Sequence, residues 1–214
     1  MENTITQIQK NKIIAICRGI YNKDLINLAK ALIKGGVNLI EITYDQSLPN
    51  NLELTSSAIN LLNKEFEDDI LVGAGTVLTD KQLEYAYKAG AKYIISPNTN
   101  MDIIKKTKEL NLVSIPGAMT PSEILTAHNA GADFVKIFPS SSLGLSYMKD
   151  IMTPINHVKF IAAGGVTPQN INEYLDLGFC GFGISSYLTN KNEIKNNNFD
   201  LLTKHAKELT SLCK

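Results

Sequence analysis

The chain has no tryptophan, only three cysteines and no excess of either charge. Cys17, Cys180 and Cys213 are odd in number and lack any C-x-x-C spacing, which excludes a disulfide framework and a zinc knuckle and leaves reduced packing thiols. Twenty-one basic residues balance twenty-one acidic ones, and no dense basic cluster occurs, so neither a nucleic-acid footprint nor a polybasic membrane surface is indicated. The partner this leaves is a small molecule. No apolar run approaches the roughly 20 residues that cross a bilayer, and the start MENTITQIQKNKIIAI lacks the long apolar segment of a signal peptide, so the expected location is the cytoplasm. His128, His157 and His205 show no metal-ligand spacing, and no metal is expected. A G-x-G-x-x-G opening a first helix is also missing. GAGTV comes nearest and lacks the third glycine, which argues against an open dinucleotide-binding sheet.

Short β-branched runs are abundant: KIIAIC, NLIEIT, ILVGAG, KYIIS, LVSIP, DFVKIF, VKFIAA and CGFGIS. Segments of helical periodicity separate them, such as LINLAKALIKGG, KQLEYAYKAG, PSEILTAHNAG and PQNINEYLDLG. The runs lack polar alternation, the mark of strands buried on both faces in a parallel sheet flanked by helices. Four helical segments end in a glycine, a short turn and a strand, at Gly36, Gly90, Gly131 and Gly178, spaced on average about 47 residues apart, the length of two strand–helix units. Four double units span nearly the whole chain. The reading is α/β, a single (β/α)8 TIM barrel over residues 1–214, with MENTITQIQK a short N-terminal helix over the barrel's bottom and NKNEIKNNN a solvated connection to the last helix.

In such barrels the active site lies at the C-terminal ends of the strands. Reading each strand to that end brings Arg18, Glu41, Thr43, Thr76, Pro97, Lys136, Gly164, Gly165, Ser185 and Ser186 to one mouth. Period-two geometry puts Phe134, Lys136 and Phe138 on one strand face and Val135 and Ile137 on the other; Leu39, Glu41 and Thr43 likewise share a face. The aliphatic pairs suit the layer beneath the helices, so Lys136 and Glu41 point inward. An interior acid and amine either form an ion pair that serves packing or do chemistry. At the ordinary lysine pKa near 10.4 about one amine in 2,500 is neutral at pH 7, and only the neutral amine attacks a carbonyl. Desolvation raises that fraction while an ionised Glu41 lowers it, and the sequence leaves the balance open. Glu41 is suited to moving protons. The Gly164-Gly165 and Ser185-Ser186 pairs follow the seventh and eighth runs, where barrels bind phosphate through backbone N–H groups and hydroxyls.

With IIAICRGI, GGVNLIEIT, LVGAGTVL, ISPN, IPGAMTPSE, FVKIFP, AAGGV and GFGISS in this order, the chain resembles the 2-keto-3-deoxy-6-phosphogluconate / 4-hydroxy-2-oxoglutarate aldolase family over roughly residues 12–190. The resemblance implies a homotrimeric class I aldolase that forms pyruvate and an aldehyde from a keto acid, needing no metal or cofactor because the substrate forms a covalent imine with the enzyme. It implies Lys136 as the imine-forming lysine and Glu41 as the acid/base, with Thr76, Pro97 and Phe138 at the pyruvate pocket and Gly164, Gly165 and Ser186 at the phosphate end. Two departures stand out. Some members carry an arginine four residues after the glutamate, where this chain has Asp45, so Arg18 is the expected carboxylate clamp. Ala163 precedes the glycine pair where many relatives have threonine. The alternatives are a 2-keto-3-deoxy-6-phosphogalactonate aldolase and, from another class, a phosphosugar isomerase or epimerase, which needs the phosphate end but no lysine nucleophile. A non-catalytic sugar-phosphate binder would show no imine.

Overall fold

In the computed structural model, residues 1–213 are described. Strand and helix alternate along the chain: α1 (Glu2–Asn11), β1 (Ile13–Cys17), α2 (Asn22–Lys34), β2 (Leu39–Thr43), α3 (Asn51–Phe66), β3 (Leu71–Gly75), α4 (Asp80–Lys88), β4 (Tyr93–Ile95), α5 (Met101–Glu109), β5 (Val113–Ile115), β6 (Gly117–Ala118), α6 (Pro121–Asn129), β7 (Val135–Ile137), α7 (Ser140–Met152), β8 (Phe160–Ala163), α8 (Ile171–Asp176), β9 (Gly181–Ile184), α9 (Lys191–Lys195) and α10 (Phe199–Leu212). All pairings are parallel, in the order β5-β4-β3-β2-β1-β9-β8-β7-β6. The two ends of that order, β5 and β6, flank Pro116 in one continuous stretch of chain. They are the fifth barrel strand divided at a residue without an N–H, so nine segments make the eight staves the sequence predicts. Pro116 still accepts a hydrogen bond from the Lys136 N–H at 2.8 Å.

The glycine repeat has a structural cause. Gly36, Gly90, Gly131 and Gly178 all have φ between 85° and 101°. In each case the next residue's N–H reaches back to a carbonyl in the last helical turn, as in Val37 to Leu32 at 2.9 Å and Ala132 to Ala127 at 3.1 Å. This is the Schellman closure that turns each helix into the following strand. Two helix starts are fixed by capping boxes, Thr79 with Gln82 and Thr120 with Glu123.

Two apolar layers result. Ile40, Ile42, Val135 and Ile137 pack outward against the helices, while Ile14, Leu39, Tyr93, Phe134 and Ile161 fill the barrel with Ile8 of α1, which closes the bottom as the sequence predicts. The segment 190–198 differs from the expected solvated connection. Asn190 accepts from the N–H groups of Asn192 and Glu193 and starts the short helix α9, which buries Ile194. Its asparagines hid an N-cap within what looked like a polar linker.

Candidate active site

Lys136 and Glu41 reach the barrel interior from opposite sides of the mouth. In register, Glu41 lies beside Ile16 and Gly73, and Lys136 beside Gly117 and Ile161. Both are buried, at 9% and 4% exposure, in a barrel otherwise filled with hydrocarbon. No salt bridge joins them among the described residues. Burial is the main influence on both. It lowers Lys136 to about 8, against the opposing pull of Glu41 and with help from Arg18. It raises Glu41 above the ordinary carboxylate range, although Lys136 and Arg18 favour the charged form. At pKa 8 roughly a tenth of the amine is neutral at pH 7, a gain of more than two orders of magnitude over an exposed lysine. The balance that the sequence left open falls on the side of the nucleophile.

Room for the carboxylate comes from glycine. A Cβ at Gly75 would occupy the position of the Glu41 carboxylate, and one at Gly73 would meet the ring of Tyr93. The GAG of β3, which resembles a truncated nucleotide motif, is thus the space in which an acid stands inside a barrel.

Lys136 and Glu41 open into a cavity of about 440 Å³. Arg18, Thr76, Pro97, Phe138, Gly164, Gly165, Ser185 and Ser186 all line it, so the structure brings these eight residues together with the lysine and the acid. The Phe138 ring centroid lies 4.9 Å from the Lys136 Nζ. Thr76 holds a left-handed φ of 57°, unusual for a β-branched residue and frequent where strain serves a site. Gly164 and Gly165, at φ 86° and 83°, adopt a turn that exposes main chain to the cavity. Thr43 behaves otherwise: its buried hydroxyl donates to the Cys17 carbonyl at 3.4 Å, a tie between strands.

Sequence reasoning missed the residue that joins the two ends of the site. Ser140, fully buried, donates to the Ile137 carbonyl at 2.7 Å and accepts from the Ala163 N–H at 3.1 Å. The Ser141 N–H donates to the Gly164 carbonyl at 3.0 Å. These bonds tie the lysine strand to the glycine turn. The serines after FVKIFP were the available signal, but their partners are remote in sequence. Thr167, Tyr187 and Asn190 also line the cavity unannounced.

Elsewhere, a wider groove of about 610 Å³ runs between α3 and α4. It lies outside the barrel, and its Lys88 is already paired with Glu84, so no acid–amine pair converges there. His128 and His157 meet edge to face at 4.9 Å between ring centroids, a contact their separation in sequence conceals. His205 stacks on Tyr187. Among the described residues no three His, Cys, Asp or Glu side chains gather as a metal-binding group. Cys17, Cys180 and Cys213 are free thiols, each pushed up by burial.

The chain is similar to known proteins in sequence and in fold. The family model described as KDPG and KHG aldolase matches residues 4–205. A 2-dehydro-3-deoxy-6-phosphogalactonate aldolase of Escherichia coli is 33% identical over 84% of this chain and 85% of its own length. A 2-dehydro-3-deoxy-phosphogluconate aldolase of Haemophilus influenzae is 30% identical over 100% of this chain and 98% of its own. The crystal structure of a Legionella pneumophila KDPG aldolase, with pyruvate captured as a covalent carbinolamine, superposes with a TM-score of 0.83 at 29% identity, covering 95% of this chain and 96% of that one. With the family model spanning nearly all of it, this chain belongs to the KDPG and KHG aldolase family.

Proposed function

We propose that this protein is a class I aldolase that cleaves 2-keto-3-deoxy-6-phospho sugar acids, and 4-hydroxy-2-oxoglutarate, to pyruvate and an aldehyde through an imine on Lys136. The observation that carries this reading is a buried lysine of lowered pKa facing a buried acid in one cavity. Neutral Lys136 attacks the C2 carbonyl, and the carbinolamine loses water to give an iminium. Glu41, as carboxylate, takes the C4 hydroxyl proton while the C3–C4 bond breaks, its electrons passing into the enamine as the aldehyde leaves. Proton return to C3 and hydrolysis release pyruvate and the free lysine. Arg18 holds the substrate carboxylate, Thr76, Pro97 and Phe138 shape the pyruvate end, and Gly164, Gly165, Ser185 and Ser186 hold the phosphate. The chemistry calls for no metal or organic cofactor. The chain acts as one barrel domain over residues 1–214, assembled as a cytoplasmic homotrimer.

Borohydride reduction in the presence of pyruvate tests the covalent step: a reduced adduct is expected on Lys136, and an unmodified lysine under turnover conditions refutes the mechanism. A coupled assay for pyruvate release, run on the gluconate- and galactonate-derived phosphates and on 4-hydroxy-2-oxoglutarate, ranks the substrates. Isomerisation without pyruvate release would favour a phosphosugar isomerase instead.

A further inference from the structure

The proposed substrate carries more negative charge than the cavity wall offsets. A phosphate monoester holds about 1.5 to 2 negative charges at pH 7, and a carboxylate adds one more. The cations lining the cavity are Arg18 and Lys136, and Lys136 is committed to the carbonyl. Glu41 faces the same space. The Gly164–Gly165 turn and Ser185–Ser186 offer N–H and O–H groups but no full charge.

Lys191 stands beside that cavity, lining an adjoining pocket with Gly19 and Asp24. Its Nζ lies 3.2 Å from the position a Cβ of Gly19 would occupy, next in sequence to Arg18. Asn190, immediately before it, lines the cavity together with Ser185 and Ser186. The segment is anchored there. The Thr189 hydroxyl lies 2.9 Å from the Ile16 carbonyl of β1 and 3.0 Å from that of Ser185, and the Asn190 carboxamide oxygen caps α9. Among the described residues Lys191 has neither a salt-bridge partner nor a side-chain hydrogen bond, so its charge is uncommitted. Hydrogen bonds from Ser47 chiefly hold the Asp45 carboxyl below the ordinary range, and Arg18 and then Lys191 add to that, placing both cations within electrostatic reach of one carboxylate.

We propose that Lys191 is a specificity-determining residue that reaches the distal phosphate of the substrate from beside the cavity, and so selects phosphorylated over unphosphorylated keto-deoxy acids. The assignment rests on the aldolase reading above. Asp45, after the second strand, contributes no cation, and Lys191 supplies one from beside the end of the neighbouring first strand.

The experiment compares kcat/KM for 2-keto-3-deoxy-6-phosphogluconate with that for its 6-hydroxyl analogue. In Lys191→Met the ratio falls about tenfold, mostly through KM for the phosphorylated substrate. Lys191→Arg restores it, and Lys191→Glu lowers it further. The salt dependence of KM for the phosphorylated substrate also weakens in Lys191→Met, because an exposed charge pair is screened within about 10 Å at 0.1 M. A merely structural lysine would move both substrates together. An unchanged ratio, or equal losses on both substrates, overturns the assignment. If pyruvate and borohydride label Lys136 while the ratio is unchanged, the Lys191 assignment alone fails; if the wild-type protein forms no adduct, the aldolase reading fails and takes this one with it.

Discussion

The two halves of the barrel interior are built from the same strands and have opposite characters. Toward α1, Ile14, Leu39, Phe134 and Ile161 form a dry plug with Ile8 and Tyr93. Two residues further along the same strand faces stand Ile16, Glu41, Lys136 and Ala163, which line the cavity. At about 3.3 Å per residue, less than 7 Å of strand separates a hydrocarbon filling from an acid and an amine. The lower half fixes the strands, and the upper half uses their fixed positions to hold charges at a solvation cost that only packing below can offset.

Lys136→Met breaks this division most severely, extending the hydrocarbon of the lower half into the upper one. Aldol cleavage should fall by about 10⁴-fold or more, because no other cavity residue offers a neutral amine. Stability at pH 7 should rise by about 1 kcal/mol, or a few degrees in Tm, since a poorly solvated ammonium has been removed. Steady-state assays and calorimetry check the two changes; a variant both inactive and less stable would show that Lys136 also holds the barrel together.

Phe134→Ala attacks the other half. The ring is fully buried, and its loss should cost about 3–5 kcal/mol in chemical denaturation. In the protein that stays folded, kcat should change by less than about threefold, because the cavity wall above is intact. A collapse of kcat to match the lost stability would mean that the two halves are one mechanical unit.

The strand face was legible from the sequence because period-two alternation needs only local order. VKI and LIEIT each announce which residues look inward, and the glycine repeat announces the barrel. What the sequence concealed depends on contacts between distant segments. Gly75 shows no reason for its glycine until the Glu41 carboxylate occupies the space beside it. Ser140 is one of three consecutive serines until its hydroxyl meets Ala163 across two strands. Pro116 reads as the end of a strand and divides one instead, since the carbonyl of a residue without an N–H still accepts from Lys136. The NKNEIKNNN stretch looked solvated because its cap and its buried Ile194 are each a single residue in a polar context.

The smallest expected effect is the most direct measure of the upper half's electrostatics. A lysine held at about 8 in the folded protein and near 10.5 when unfolded is protonated in both states below pH 8, where the cost of burying its charge is fully present. Between 8 and 10.5 the unfolded chain keeps a proton that the folded one has lost, so the Lys136 contribution to stability improves with rising pH through that window. Catalysis follows the same proton. Because attack needs the free amine, kcat/KM should climb about tenfold per pH unit up to about 8 and level off above it. Phe134→Ala should leave the position of that limb unchanged, as the plug does not touch the amine, whereas Glu41→Gln should move it downward by removing the group that favours the ammonium. A limb near 10 in the wild-type protein would mean that burial does not control the amine, and the contrast between the two halves would then be one of shape alone.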